Sequence, residues 1–229
     1  MSPIGSRPRS EATALVSASG ALVDRYDKMH LVPLGEFIPF ERHAPWLRRI
    51  LPPIGEFVPG TNYTVFHLGS RLKAQGSREE PASLQPSASS LELPFSVLIC
   101  FEDLFPDLAR RFVQRGARLL FVITNDAWFG PTAAAHQHLQ ASVFRAVELR
   151  VPVARAANTG WSGCIDSTGW VVGRVRDEGG RSLFVPGTHT CDLFLGTARS
   201  PYVRWGDWFP LLCLVLTGGA IIRFYLRSP

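Results

Sequence analysis

Lysine is nearly absent from this chain. Of 24 basic residues only Lys28 and Lys73 are lysines, and the other 22 are arginines. Cysteine is also scarce. Cys100, Cys164, Cys191 and Cys213 are all there are, with no Cys-x-x-Cys pair and no Cys/His spacing of the metal-ligating kind. That pattern points to no metal and no cofactor, and it does not resemble a disulfide framework. Residues 1–12 are polar and lack the apolar core of a signal peptide. No internal repeat is present. The net charge is +5, but the arginines are scattered, with neither a basic helix nor alternating basic and aromatic residues. This argues against a nucleic-acid partner, whereas a basic surface facing anionic lipid fits. What remains is a 229-residue chain, 46% hydrophobic and 19% charged, which suffices for one large or two small packed domains and excludes global disorder.

Two residues stand out against this background. Cys100 ends the apolar run Leu93-Pro94-Phe95-Ser96-Val97-Leu98-Ile99 and is followed by Phe101-Glu102-Asp103. A buried strand thus delivers a thiol to a polar turn. Lys28 lies in Tyr26-Asp27-Lys28-Met29-His30-Leu31-Val32-Pro33-Leu34-Gly35-Glu36. Where arginine serves for plain positive charge, a retained lysine supplies a compact ammonium whose pKa responds to its surroundings. A cysteine, a lysine and a glutamate together point to acyl transfer through a thioester.

Hydrophobic patterning predicts a mixed α/β order. Thr13–Ser17 and Ala21–Tyr26 form a hairpin about Ser19-Gly20, and Leu31–Pro39 and Trp46–Pro59 are irregular. Asn62–Leu68 is a strand, and residues 70–90, rich in Ser, Pro and Ala, are a flexible excursion. After the Cys100 strand come a helix over Pro106–Arg115, a strand at Leu119–Thr124 and a strand at Pro152–Ala157. Between those last two lies a helix over Ala133–Arg150, with Leu139, Val143, Ala146, Val147 and Arg150 at helical spacing. A hairpin follows, Gly163–Asp166 with Trp170–Val175, then a short strand at Thr190–Phe194. Trp208–Leu226 is 19 residues long, apolar but for Arg223, and long enough to cross a bilayer, with Trp205 and Trp208 suited to its interface. The alternative is a buried core helix, in which Cys213 is a small hydrophobe. If it spans, Arg223 and Arg227 favour a cytoplasmic C-terminus, placing the globular part on the opposite side.

The run from Tyr26 to Phe40 resembles the apolipoprotein N-acyltransferases, membrane members of the nitrilase (carbon-nitrogen hydrolase) superfamily. So do Ile99–Pro106, Thr124-Asn125-Asp126-Ala127-Trp128-Phe129-Gly130, His138–Glu148 and Pro201–Trp208. The resemblance covers most of residues 13–226 in order. It implies a nitrilase-type α-β-β-α sandwich followed by one C-terminal transmembrane helix. Residues 1–207 then form the catalytic domain, with an insertion at 70–90, and 208–226 the membrane helix. The implied activity is transfer of an acyl chain from a phospholipid to the N-terminal amine of a diacylglyceryl-cysteine lipoprotein, the final step of bacterial lipoprotein maturation. It takes place at the bacterial inner membrane, with the catalytic domain on the periplasmic side.

By the same resemblance Cys100 is the nucleophile, Lys28 lies beside the developing oxyanion, and Glu36 orients Lys28. The Phe101 backbone N–H is a second oxyanion donor, and Asn125, Asp126 and Trp128 shape the pocket. Glu102 is either support behind the nucleophile or an ion-pair partner of Arg110 or Arg111. His30, His136 and His138 are not expected to form a Cys–His dyad, and His138 reads as a helix-face residue. The family carries a first catalytic Glu well before the Lys, together with several N-terminal membrane helices. Neither is found upstream of Lys28, where Glu11 stands in no matching motif and is given no role. The expectation is a domain incomplete at its N-terminus that turns over poorly alone. Two rival readings are a nitrilase-type amidase hydrolysing a small amide and an inactive membrane-anchored pseudoenzyme.

Overall fold

In the computed structural model, residues 9–41, 43, 46–50, 57–69, 92–196 and 200–227 are described. Strands β1 (Ala12–Val16) and β2 (Leu22–Asp27) form an antiparallel hairpin whose register pairs Ala12 with Asp27. Its turn needs Gly20, which sits at φ +83°. A six-stranded sheet follows in the order β3 (Phe66–Leu68), β4 (Leu93–Ile99), β5 (Leu119–Thr124), β6 (Val153–Ala157), β7 (Gly163–Ile165) and β8 (Val171–Arg174). The centre, β4-β5-β6, is parallel, and β3, β7 and β8 add antiparallel edges. Parallel neighbours require crossovers, which are helices α2 (Pro106–Gln114) and α3 (Ala134–Leu149). The hairpin joins the β3 side of the sheet through Thr64. Its hydroxyl donates to the Arg25 carbonyl at 2.9 Å, and its own carbonyl accepts from Ser96 Oγ at 2.8 Å.

The core lies between the sheet and these helices. Pro106 starts α2 at a position where its missing N–H costs nothing, and Leu108, Ala109, Phe112 and Val113 face inward. Phe112 meets the edges of Tyr26 and Tyr63, with centroids 5.3 and 5.6 Å apart, which binds the hairpin to α2. Helix α4 (Pro201–Trp205), capped by Ser200, packs across α2 and α3. There Arg110 Nε donates to the carbonyls of Tyr202 and Val203, and Gln114 Nε2 donates to Val203. From α4 the chain enters α5 (Trp208–Arg227), which contains the 19-residue apolar stretch Trp208–Leu226, and the rest of the described chain buries none of it.

The hairpins, the central strands and the long helices lie where patterning places them, and five expectations need correction. Asn62–Leu68 is a strand only over Phe66–Leu68, and a helical turn α1 (Leu47–Ile50) interrupts the stretch expected to be irregular. Thr190–Phe194 forms no strand. Its Cys191 is instead disulfide-bonded to Cys164 of β7, so two of the four cysteines do form a bridge. The inward face of α3 is also rotated from the apolar stripe. Val147 and Arg150 are exposed, while His138, Ser142 and Arg145 are buried. The expected excursion at 70–90 falls outside the described residues.

Candidate active site at the carboxyl edge of the sheet

β4, β5 and β6 are in register, Ile99 with Ile123 and Thr124 with Ala157, so Cys100 and Asn125 emerge at one edge of the sheet. The carboxyl edge of parallel strands is where backbone groups and loop side chains converge in open α/β sheets. Cys100 is half-buried and has φ +54°. A left-handed conformation at a residue with a Cβ costs free energy, and such strain collects where a side chain must be aimed. Here it swings the thiol out of the strand into a 3₁₀ turn, Cys100–Leu104.

Glu102 ties that turn to the Lys28 segment. Its Oε2 accepts from the Ile99 N–H at 2.8 Å. Its Oε1 accepts from the Tyr26 hydroxyl and the Met29 N–H, both at 2.7 Å, and from the His30 N–H at 3.1 Å. The carboxylate is completely buried. Burial pushes its pKa up, and the four donors only partly offset this. Burial, and then the Glu102 charge, push the Tyr26 hydroxyl up as well. Arg110 and Arg111 pair with Asp107 instead, so Glu102 is not an arginine partner.

The ammonium of Lys28 is fully buried and lies between two carboxylates. Nζ donates to Glu11 Oε2 at 2.9 Å and to Glu36 Oε1. Glu36 is held from behind by the Val32 N–H at 2.9 Å. Burial alone pulls the lysine pKa down, but its hydrogen bonds to Glu11 and Glu36 outweigh that and the net shift is upward. Lys28 is therefore a fixed cation, suited to stabilising developing negative charge rather than to accepting a proton. Glu11, given no role from sequence, is brought to Lys28 by the hairpin. Extending the β1–β2 register by one pair sets Glu11 opposite Lys28, whose N–H donates to the Glu11 carbonyl at 2.8 Å.

The pocket residues divide. Phe101 directly follows Cys100, with its ring edge-on to Phe105 at 5.1 Å. The exposed side chain of Asn125 accepts from the Ala127 N–H at 3.2 Å and caps the turn Asp126–Phe129, on which Trp128 is 80% exposed. Asp126, expected in the pocket, points inward and is buried. His138, on one face of α3, is buried as well, with a carboxylate oxygen against each ring nitrogen, which leaves it unable to form a dyad with Cys100. Asp103, Ser142 and Arg155 join it, a cluster that sequence reasoning passed over. Its signal was polar residues at i, i+4 and i+7 of α3, His138, Ser142 and Arg145. Among the described residues no group of His, Cys, Asp and Glu is arranged to hold a metal.

The carbon-nitrogen hydrolase profile matches residues 7–185. An apolipoprotein N-acyltransferase of Geobacter metallireducens is 37% identical over 208 residues, 91% of this chain and 34% of the relative. Another, of Thermotoga maritima, is 34% identical over 229 residues, 98% of this chain and 39% of the relative. The chain thus spans between a third and two fifths of the length of these relatives. Among solved structures, an amidase from Nesterenkonia sp. aligns with a TM-score of 0.47 at 21% identity, over 81% of this chain and 56% of that one. Nit3 of Saccharomyces cerevisiae aligns with a TM-score of 0.45 at 18% identity, over 72% and 49%. A profile match over most of the sequence identifies the chain as a member of the carbon-nitrogen hydrolase family.

Proposed function

We propose that this chain carries the Cys100–Lys28–Glu36 centre of a phospholipid-dependent N-acyltransferase acting on lipoproteins. Residues 1–207 form its catalytic domain and 208–226 its membrane span. In the first half-reaction Cys100 Sγ bonds to the ester carbonyl carbon of a phospholipid. The carbon–oxygen bond to glycerol breaks, and the lysophospholipid leaves with the proton. In the second, the N-terminal amine of a diacylglyceryl-cysteine lipoprotein attacks the thioester carbonyl, the carbon–sulfur bond breaks, and the amine's proton passes to a carboxylate. Lys28 and the Phe101 N–H stabilise the oxyanion of each step. Supporting this over an amidase is one observation above all, the exposed apolar helix α5, which a hydrolase of small soluble amides does not need. The Cys164–Cys191 bridge fits a domain on the oxidising, periplasmic side of the bacterial inner membrane.

The test is intact-protein mass spectrometry of the detergent-solubilised chain after incubation with phosphatidylethanolamine. The expected result is a gain of one acyl group that hydroxylamine releases and that Cys100→Ala abolishes. Hydrolysis of small amides without any acyl adduct favours the amidase. Neither activity, with membrane association retained, favours an inactive anchored module.

A further inference from the structure

Behind the nucleophile lies a buried cluster that the reaction above does not use. Asp103 sits three residues after Cys100 on the turn leaving β4. Asp126 sits on the turn leaving β5, between Asn125 and Trp128. His138 of α3 bridges them, Nε2 to Asp103 Oδ1 at 2.8 Å and Nδ1 to Asp126 Oδ1 at 2.8 Å. Arg155 of β6 closes the ring, with Nη1 to Asp103 Oδ2 at 2.8 Å and Nη2 to Asp126 Oδ2 at 3.2 Å. Ser142 donates to Asp103 Oδ2 at 2.7 Å, and Thr124 donates to Asp126 Oδ1 at 2.9 Å. Every one of the four charged side chains is at least 95% buried.

This geometry dictates the charge of the ring. A neutral imidazole has one N–H and one lone pair, whereas His138 has a carboxylate oxygen at hydrogen-bond distance from both nitrogens. Only the imidazolium donates to both. With it charged, two carboxylates face two cations and the cluster is neutral overall, as a site shielded from water requires. The other charged groups nearby leave that balance intact. Arg145, on the same helix, donates to the Asp103 carbonyl at 3.1 Å and pairs with Glu148 at 2.8 Å, and the remaining ring contact is the edge of Phe129.

We propose that the His138 imidazolium is a positioning residue for acyl transfer. It is the strut that sets the turn carrying Cys100 against the turn carrying Asn125 and Trp128, and losing its proton disengages one turn from the other. The proposal rests on the reading of Cys100 as the acyl-accepting nucleophile. Burial pulls the His138 pKa down, but its bonds to Asp103 and Asp126 outweigh this and hold it at about 9. The sign follows. A raised folded-state pKa gives a contribution that is complete below the ordinary histidine value and is lost as pH rises through about 9.

Three measurements on the full chain in detergent test this. Nitrogen-15 NMR of the labelled histidines, with His138 assigned through His138→Gln, should show both ring nitrogens protonated at neutral pH. Thioester formation from phosphatidylethanolamine should fall as pH passes through about 9. His138→Gln should lower it about 10-fold or more at neutral pH and lose that alkaline fall, since a small misplacement of reacting groups costs this much. Hydrogen exchange in His138→Gln should quicken in Cys100–Leu104 and Asn125–Gly130 while α2 stays protected. A neutral His138 ring, or a variant with the wild-type rate and pH profile, overturns the proposal. If His138→Gln does not fold, Asp126→Asn serves instead. Removing one carboxylate should move the alkaline fall to lower pH by about 1 unit, and an unmoved profile is equally fatal. If the wild type forms no thioester at all, the acyltransferase reading fails, while NMR and hydrogen exchange still decide whether His138 is the charged strut.

Discussion

Cys100 holds its thiol at the cost of an unfavourable backbone. At φ +54° the penalty belongs to the Cβ, so it persists in alanine and vanishes in glycine. Cys100→Gly should therefore unfold at higher denaturant than Cys100→Ala, by about 1 kcal/mol. Equal stabilities would mean that the turn is not strained in solution. The two carboxylates on Lys28 make a second pair of variants. Glu36 has 12% of its side chain exposed and Glu11 37%. Glu36→Gln leaves the buried ammonium with only the wetter partner and should cost about 3 kcal/mol of stability. Glu11→Gln, on a partly solvated pair, should cost about 1 kcal/mol or less. Urea titrations of the two variants check the order, and the reverse order would mean that Glu11 is the principal partner of Lys28.

At the level of elements, the chain was readable where one force dominated. Leu93–Ile99 and Leu119–Thr124 are rich in apolar, β-forming residues, so composition alone places them. Helix α3 was found, but its inward face was misjudged, because apolar spacing gives no weight to a buried histidine, serine and arginine that satisfy one another. As candidates, Lys28 and Cys100 stand out as chemistry out of place, a rare lysine and a thiol at a strand end, and Glu36 through the family resemblance. Glu11 and the Asp103–His138–Asp126 cluster do not, since pairing across a hairpin and convergence of three elements exist only once the chain is folded. The same holds for Cys164 and Cys191, 27 residues apart, joined because the segment after β8 returns across β7. A bridge closing a loop of that length should contribute about 3 kcal/mol, largely by restricting the unfolded chain. Cys164→Ala/Cys191→Ala should lose roughly that much in urea, without affecting Cys100 acylation in the fraction that remains folded. A double variant as stable as wild type would mean that the bridge adds nothing net.

At the scale of the whole molecule, the proposed membrane helix α5 meets the Cys100 edge, among the described residues, through a small joint. Cys100 leads through the 3₁₀ turn and Phe105 into α2. Arg110 and Gln114 of α2 hold the last carbonyls of α4, and α4 leads through Gly206 into α5. On the proposed reading of α5 as a membrane span, these hydrogen bonds carry the position of Cys100 relative to the bilayer, while attachment belongs to the apolar surface of α5. These two contributions separate experimentally. Arg110→Ala removes the donor to Tyr202 and Val203 and leaves every residue of α5 in place, so alkaline carbonate should extract no more of the variant than of wild type. Acylation of Cys100 by phosphatidylethanolamine embedded in vesicles should nevertheless fall, because the edge is no longer held at a fixed attitude to the surface. With the same lipid dispersed in detergent, the acyl donor reaches the site from solution and the defect should shrink. An equal loss in both settings would place the damage within the domain rather than at the joint. No loss in either would mean that α5 alone presents the site to its lipid.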